Sequence, residues 1–294
     1  MNIDFLENRL GEYAILLRLH QPIGIYLLLW PTLWALWLSS NGQPPRKDVL
    51  IFTLGVVLMR SAGCIINDIA DRNFDLHVVR TRDRPVAAGR VSLREAIRLA
   101  TLLCLLAFFL VLLTQDLLTI KLSFVGLALA FTYPFMKRFH HLPQFYLGVA
   151  FGWGIPMAYA AVTGTIPLTA WLLFTANIIW SAVYDTQYAM VDRDEDLKIG
   201  LKSTAILFGK YDKCLICYLQ VLLLCLLVTI GLLASRGLVY YLSLFIAGVL
   251  ALYQQYLIRN RDPESCFKAF LNNNNFGLVI FYGLLLDYLP RSYS

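Results

Sequence analysis

Two groups of polar residues stand where an apolar chain would not place them without a task. Asn67, Asp68, Asp71 and Asp75 follow one apolar run directly, and Asp192 and Asp196 follow another. Asp71 and Asp75 superpose on Asp192 and Asp196 after a shift of 121 residues, and both copies read Asp-Arg-x-x-Asp. The amide does not recur in register, since Tyr188 stands where Asn67 stands and Gln187 is one place off. A helix turns about 100° per residue, so Asn67, Asp71 and Asp75 share one face with Arg60. Carboxylates about 6 Å apart repel by roughly 3 kcal/mol at an effective dielectric near 20, so such a ladder needs cations. Hard oxygen donors in this number suit Mg²⁺, which keeps waters and shares its coordination with a substrate phosphate. The alternative is a solvated ion-pair belt supplied by Arg80, Arg82, Arg84 and Lys198.

A diphosphate needs cationic side chains opposite the metal, and Arg80, Arg84, Lys137 and Arg138 lie on the same side of the chain's apolar runs as the ladders. A lipid diphosphate would put its head there and its tail between helices. Tyr26, Phe131, Tyr133, Trp180, Tyr184 and Tyr188 offer π faces to an allylic cation, or serve as packing and interfacial anchors. Arg60 lies about 10 Å below Asn67 along its helix, and Asp185 is equally far below Asp192. Ionisable groups at such depth line a cavity or pair with each other. Either Arg60 and Asp185 form an ion pair, or Arg60 takes the acidic group of a smaller second substrate that Asp185 or Asp192 orients or deprotonates.

These residues need membrane-spanning elements to position them. The chain has 294 residues, 59% hydrophobic and 15% charged, and a mean hydropathy of +0.63. Apolar runs of about 20 residues recur along nearly its whole length, which excludes sizeable soluble domains. The expectation is one all-α integral membrane domain, 1–294, of nine transmembrane helices. The spans fall near 22–40, 49–66, 97–115, 117–136, 143–162, 167–187, 214–234, 237–257 and 269–289, with an amphipathic interfacial segment over 1–20. Repeat halves would cover about 22–141 and 142–260, with the ninth helix outside them. The run Asn272 to Asn275 reads as a cap or interfacial anchor at the start of that helix.

Nine spans put 19 of the 25 Lys and Arg residues on the side of both ladders. By the positive-inside rule that side is the cytoplasm, so the net charge of +6 reflects membrane orientation and not nucleic-acid binding. The six cysteines lie mostly in apolar segments and read as small apolar side chains. No removable targeting segment is expected. Polar residues between repeats also describe secondary carriers, but carriers hold their substrate near the bilayer midplane, whereas most of these carboxylates cluster at one edge.

The two motifs, Asn67-Asp68-x-x-Asp71-x-x-x-Asp75 and Tyr184-Asp185-Thr186-Gln187-Tyr188-Ala189-Met190-Val191-Asp192-x-x-x-Asp196, resemble the signatures of the UbiA-type intramembrane prenyltransferases. The likeness extends to Arg84-Pro85 with Gly89, Tyr133-Pro134-Phe135-Met136-Lys137-Arg138 and Lys202-Ser203-Thr204-Ala205. Within that superfamily the wording is most similar to the 4-hydroxybenzoate polyprenyltransferases of ubiquinone biosynthesis. Glu195 stands where a further aspartate is expected, and it keeps the charge off the ladder face. The resemblance implies a nine-helix bundle around a central cavity in a bacterial inner membrane, with polyprenyl diphosphate and 4-hydroxybenzoate as substrates. It implies that Asn67, Asp68, Asp71, Asp75, Asp192 and Asp196 hold Mg²⁺ directly or through water. Arg80, Arg84, Lys137 and Arg138 would hold the diphosphate, Arg60 and Tyr188 would contact substrate, and Asp185 would join the catalytic carboxylates.

Overall fold

A computed structural model of the protein describes residues 3–76 and 81–289. Every regular element among them is helical. In chain order these are α1 (Ile3–Leu16), α2 (Ile23–Ser39), α3 (Arg46–Asp75), α4 (Leu93–Leu112), α5 (Leu117–Thr132), α6 (Met136–Phe139), α7 (Pro143–Gly152), α8 (Gly154–Thr163), α9 (Leu168–Ile199), α10 (Thr204–Phe208), α11 (Asp212–Leu233), α12 (Leu238–Ile258) and α13 (Pro263–Tyr288). Among the described residues seven helical segments are long and apolar enough to cross a membrane, and α2 is a shorter apolar helix. The expected span over 167–187 forms the first part of α9, whose second part carries the polar motif. The expected span over 143–162 is divided into α7 and α8 at Trp153, just ahead of Pro156, whose missing N–H and bulky ring disfavour a straight helix.

Local chemistry sets the boundaries. Ser92 caps α4 through the Glu95 N–H, and Asp116 caps α5 through the Thr119 N–H at 2.6 Å. Such caps satisfy amides that have no partner within the helix. The 30 residues of α3 run without a break from an apolar segment through Asp75. The 32 residues of α9 end at Gly200, in the left-handed region at φ 72°, whose N–H donates to the Asp196 carbonyl; glycine pays no Cβ penalty there. Both polar ladders are therefore continuous helical extensions.

The spanning elements pack as a closed ring. Each of α2, α3, α4 and α5 contacts the next, α5 meets α7 and α8, these meet α9, and α9, α11, α12 and α13 follow in order until α13 returns to α2. Inside the ring α2 also packs on α8 and α13 on α9. Those contacts fill one half with Trp34, Trp180, Tyr184 and Phe276. A large cavity of about 470 Å³ therefore lies off-centre, bounded by α2, α3, α4, α5, α7 and α8.

The Asn run departs from its expected place. Asp262 is the cap, accepting from the Ser265 N–H at 2.9 Å, and α13 starts at Pro263. Asn272 and Asn273 lie more than two turns inside, where Asn273 is 1% exposed. The polar residues 263–268 belong to the helix although they are too hydrophilic to mark a span.

Candidate active site

The first ladder is a charged cluster held by three separate parts of the chain. Asp68, Asp71 and Asp75 are all buried. The Asp71 carboxylate accepts from Lys137 Nζ at 2.5 Å and from Arg138 at 3.3 Å, and Arg138 also donates to the Ala70 carbonyl at 2.6 Å. Arg84 reaches Asp75 at 2.9 Å and Asp68 at 3.3 Å. Arg18, at the end of α1, reaches Asp68 at 2.8 Å. The alternative belt of Arg80, Arg82, Arg84 and Lys198 is met only in Arg84 among the described residues, and Lys137, Arg138 and Arg18 supply the other cations. Arg82 is exposed and 3.8 Å from Asp83, and Lys198 is exposed. Arg80 lies outside the described residues. Arg18 escaped sequence reasoning because its partner is 50 residues away, with nothing local to pair them.

The second ladder is tied to the first through Asp185 and the loop that follows α9. Asp192 and Asp196 are half-buried on α9, and Asp185 lies within electrostatic reach of Asp192, Asp196, Lys137 and Arg60. Lys202, beyond the end of α9, donates its backbone N–H to the Lys137 carbonyl at 3.1 Å and its Nζ to the Phe139 carbonyl at 3.2 Å. The loop that follows the second ladder is thus bound to the short helix α6 that serves the first.

Arg60 lies deep on α3, below the first ladder. It forms no ion pair with Asp185; its guanidinium donates to Cys64 Sγ and lies 5.8 Å from the centre of the Phe151 ring. It lines the off-centre cavity together with Gly63, Tyr133 and Phe151. From Gly63 to Ile51 the cavity follows about 18 Å of α3 between apolar walls, which include Phe52, Val56, Phe108, Leu127 and Met157. Tyr133 donates its hydroxyl to the Gly63 carbonyl at 3.2 Å. Tyr188 packs against Phe270 with ring centres 4.9 Å apart and against Phe267 at 6.2 Å, both pairs tilted. Phe267 and Phe270 were missed because α13 carries no charged motif to mark it.

Chemically this is a cluster of carboxylates and basic side chains at one end of an apolar cavity. Asn67 is half-buried on the ladder face, and one oxygen of Asp68 is buried without a hydrogen-bond partner. The donors are hard oxygens, the type Mg²⁺ takes. Among the described residues no three His, Cys, Asp or Glu side chains converge as a closed cation site; in this arrangement the basic side chains occupy the ladder.

The UbiA prenyltransferase family model matches residues 28–278. The chain belongs to that family. The prenyltransferase is 58% identical over 287 residues to 4-hydroxybenzoate octaprenyltransferase of Alkalilimnicola ehrlichii, covering 98% of each chain. Its fold is similar to that of an apo UbiA homolog from Aeropyrum pernix K1, with a TM-score of 0.80 and 28% identity over 90% of this prenyltransferase and 98% of that chain. A UbiA homolog from Archaeoglobus fulgidus bound to GPP and Mg²⁺ shares the fold at a TM-score of 0.72 and 16% identity, covering 94% of this chain and 99% of that one.

Proposed function

We propose that this prenyltransferase moves a polyprenyl group from polyprenyl diphosphate to the ring carbon ortho to the hydroxyl of 4-hydroxybenzoate. The products are 3-polyprenyl-4-hydroxybenzoate and diphosphate, a step of ubiquinone biosynthesis. The relative named for that acceptor supports the reading. The observation that carries it is Arg60, a cation without a carboxylate partner among the described residues, in the wall of an apolar cavity beside a carboxylate ladder. An aromatic acid fits such a place: its carboxylate meets Arg60 and its ring meets the surrounding apolar and aromatic side chains.

The residues divide the work by position. Asn67, Asp71 and Asp75 from α3, with Asp192 and Asp196 from α9, would hold Mg²⁺, which supplies charge neutralisation for the leaving diphosphate. Asp68, drawn to Arg18 and Arg84, would back that set from behind. Lys137, Arg138, Arg84 and Arg80 take the diphosphate oxygens. Breaking the allylic C–O bond leaves the electron pair on the diphosphate and a cation in the cavity, where Tyr133 and Phe151 present π faces and water is excluded, with Tyr188 on the α9 side. The acceptor carbon forms the new C–C bond and loses its proton, restoring aromaticity. Asp185 orients the phenol or takes its proton.

The ladders would face the cytoplasm across a bacterial inner membrane, and the two halves would descend from one duplicated unit. Purified protein in vesicles with Mg²⁺ and a polyprenyl diphosphate, offered 4-hydroxybenzoate, homogentisate and a hydroxynaphthoate separately, tests the acceptor. Prenylated 4-hydroxybenzoate as the dominant product is expected; preferential prenylation of another ring would replace this reading.

A further inference from the structure

Outside the charged site, the unused chemistry of the molecule is concentrated in amides buried at one level of the bundle. Asn273 donates from Nδ2 to Gln187 Oε1 at 2.9 Å and accepts at Oδ1 from Trp180 Nε1 at 3.0 Å. Gln187 donates to Gln254 Oε1 at 3.2 Å, which also accepts from Gln220 at 2.9 Å. Gln254 in turn donates to Asn272 at 3.1 Å. Gln187, Gln254, Asn273 and Gln220 are between 0% and 4% exposed. Removing an amide from water without a partner costs roughly 2–7 kcal/mol, so a chain of them is tolerated only if its members satisfy one another. Simple association of α9 with α11, α12 and α13 could rest on apolar packing alone. The amides specify something narrower.

The geometry identifies what is specified. Trp180 and Gln187 are seven residues apart and so share one stripe of α9, while Asp185 and Asp192 share another about 140–160° around the helix. Asn273 holds the first stripe at two points, and two attachments along one stripe fix the rotation of a helix about its axis. The same residue fixes α13 one turn from Phe270, whose ring lies tilted against Tyr188. We propose that Asn273 is a positioning residue for prenyl transfer: through Gln187 and Trp180 it sets the rotation of α9 and thereby aims Asp185 and Tyr188 at the acceptor. This rests on the acceptor site proposed above. A group that acts through orientation affects the substrate it orients. The cations proposed for the diphosphate come from α6 and the loop before α4, which the network does not touch; Asp192 and Asp196 turn with Asp185 on α9, so the diphosphate responds to the rotation only through its metal and less than the acceptor does.

The test uses Asn273→Leu and Gln187→Leu in the full-length protein in vesicles, with 4-hydroxybenzoate, a polyprenyl diphosphate and Mg²⁺. Leucine is close in size to either amide and suits a lipid-surrounded bundle, and the second variant cuts the same link from α9. The expected result is an apparent KM for the aromatic acid raised about tenfold, because small misplacements of reacting groups are amplified in rate and binding. The KM for the diphosphate stays within about twofold of the parent in that case, and so does the folded fraction on gel filtration. An unchanged acceptor KM in a folded variant overturns the proposal, as does a parallel rise in both KM values that tracks loss of folded protein. If the parent protein prenylates a different ring, the acceptor reading fails while the same KM split, measured on that ring, still decides the role of Asn273. A parent that prenylates none of the rings offered removes both.

Discussion

Charge in the wrong place is the most legible feature of this chain at the level of single residues. Arg60 and the carboxylates stood out because an ionisable group inside or against a bilayer is costly, and the structure brings Asp71, Lys137 and Arg138 into direct contact. What remained hidden are partners fixed only by folding: Arg18 on Asp68, and Cys64 beneath Arg60. The latter cluster leads to a prediction from a residue with no polar group. A Cβ added at Gly24 would collide with the Arg60 guanidinium, so Gly24→Ala must displace it. Initial rates should then show an acceptor KM raised about tenfold with the diphosphate KM little changed. Asp71→Asn is expected to act differently, leaving the shape of the site while removing the charge that faces Lys137 and Arg138 and that would face the proposed metal. Turnover should fall at least about a hundredfold, a loss typical of one removed electrostatic contact, with the folded fraction retained. Near-normal turnover would take Asp71 out of the mechanism.

Among the elements, periodicity and hydropathy located the spans but not how their ends are secured. The amphipathic α1 was readable as a helix. Its attachment to the first basic loop was not, since it depends on Arg9 and Tyr13 meeting Glu95 and on Arg90 meeting Glu12 at 2.8 Å. The start of α13 was misplaced because its first turns are polar, and the true boundary rests on the Asp262 cap. The Ser265 amide holds the Asp262 carboxyl below the ordinary carboxylate value. A group with a depressed folded pKa contributes stability above its unfolded pKa and loses it as pH falls through the folded one. Hydrogen exchange at the Ser265 amide should therefore be insensitive to this cap near neutrality, apart from the intrinsic pH dependence. Its protection should diminish only below the ordinary aspartate range, and Asp262→Ala should abolish that acid-dependent step.

For the molecule as a whole, the ring of helices does two things that a list of spans does not convey. It brings Lys137 onto Asp71 of the first ladder and within electrostatic reach of Asp185 on α9, and it leaves its large cavity beside α3, away from the packed aromatic half. Three buried carboxylates of the first ladder are matched by Arg18, Arg84, Lys137 and Arg138. Breaking a buried pair by removing one partner typically costs 3–5 kcal/mol, so this matching lets the site fold without a divalent ion. On the proposed assignment a diphosphate arriving with Mg²⁺ would bring both kinds of partner at once: its oxygens would take the place of the carboxylates for Lys137 and Arg138, and the metal would neutralise Asp71 in place of those cations. Metal dependence should therefore belong to turnover and not to the fold. Chelation with EDTA is expected to stop prenyl transfer completely, to leave the Tm of the detergent-solubilised protein within about 2 °C, a shift of no more than roughly 1 kcal/mol for a chain of this size, and to be reversed by added Mg²⁺. Adding Mg²⁺ with a non-hydrolysable diphosphate analogue should raise the Tm more than the sum of the two added separately, because each vacates a partner for the other. A large fall in Tm on chelation alone would mean that metal, and not the basic side chains, neutralises the ladder in the resting protein.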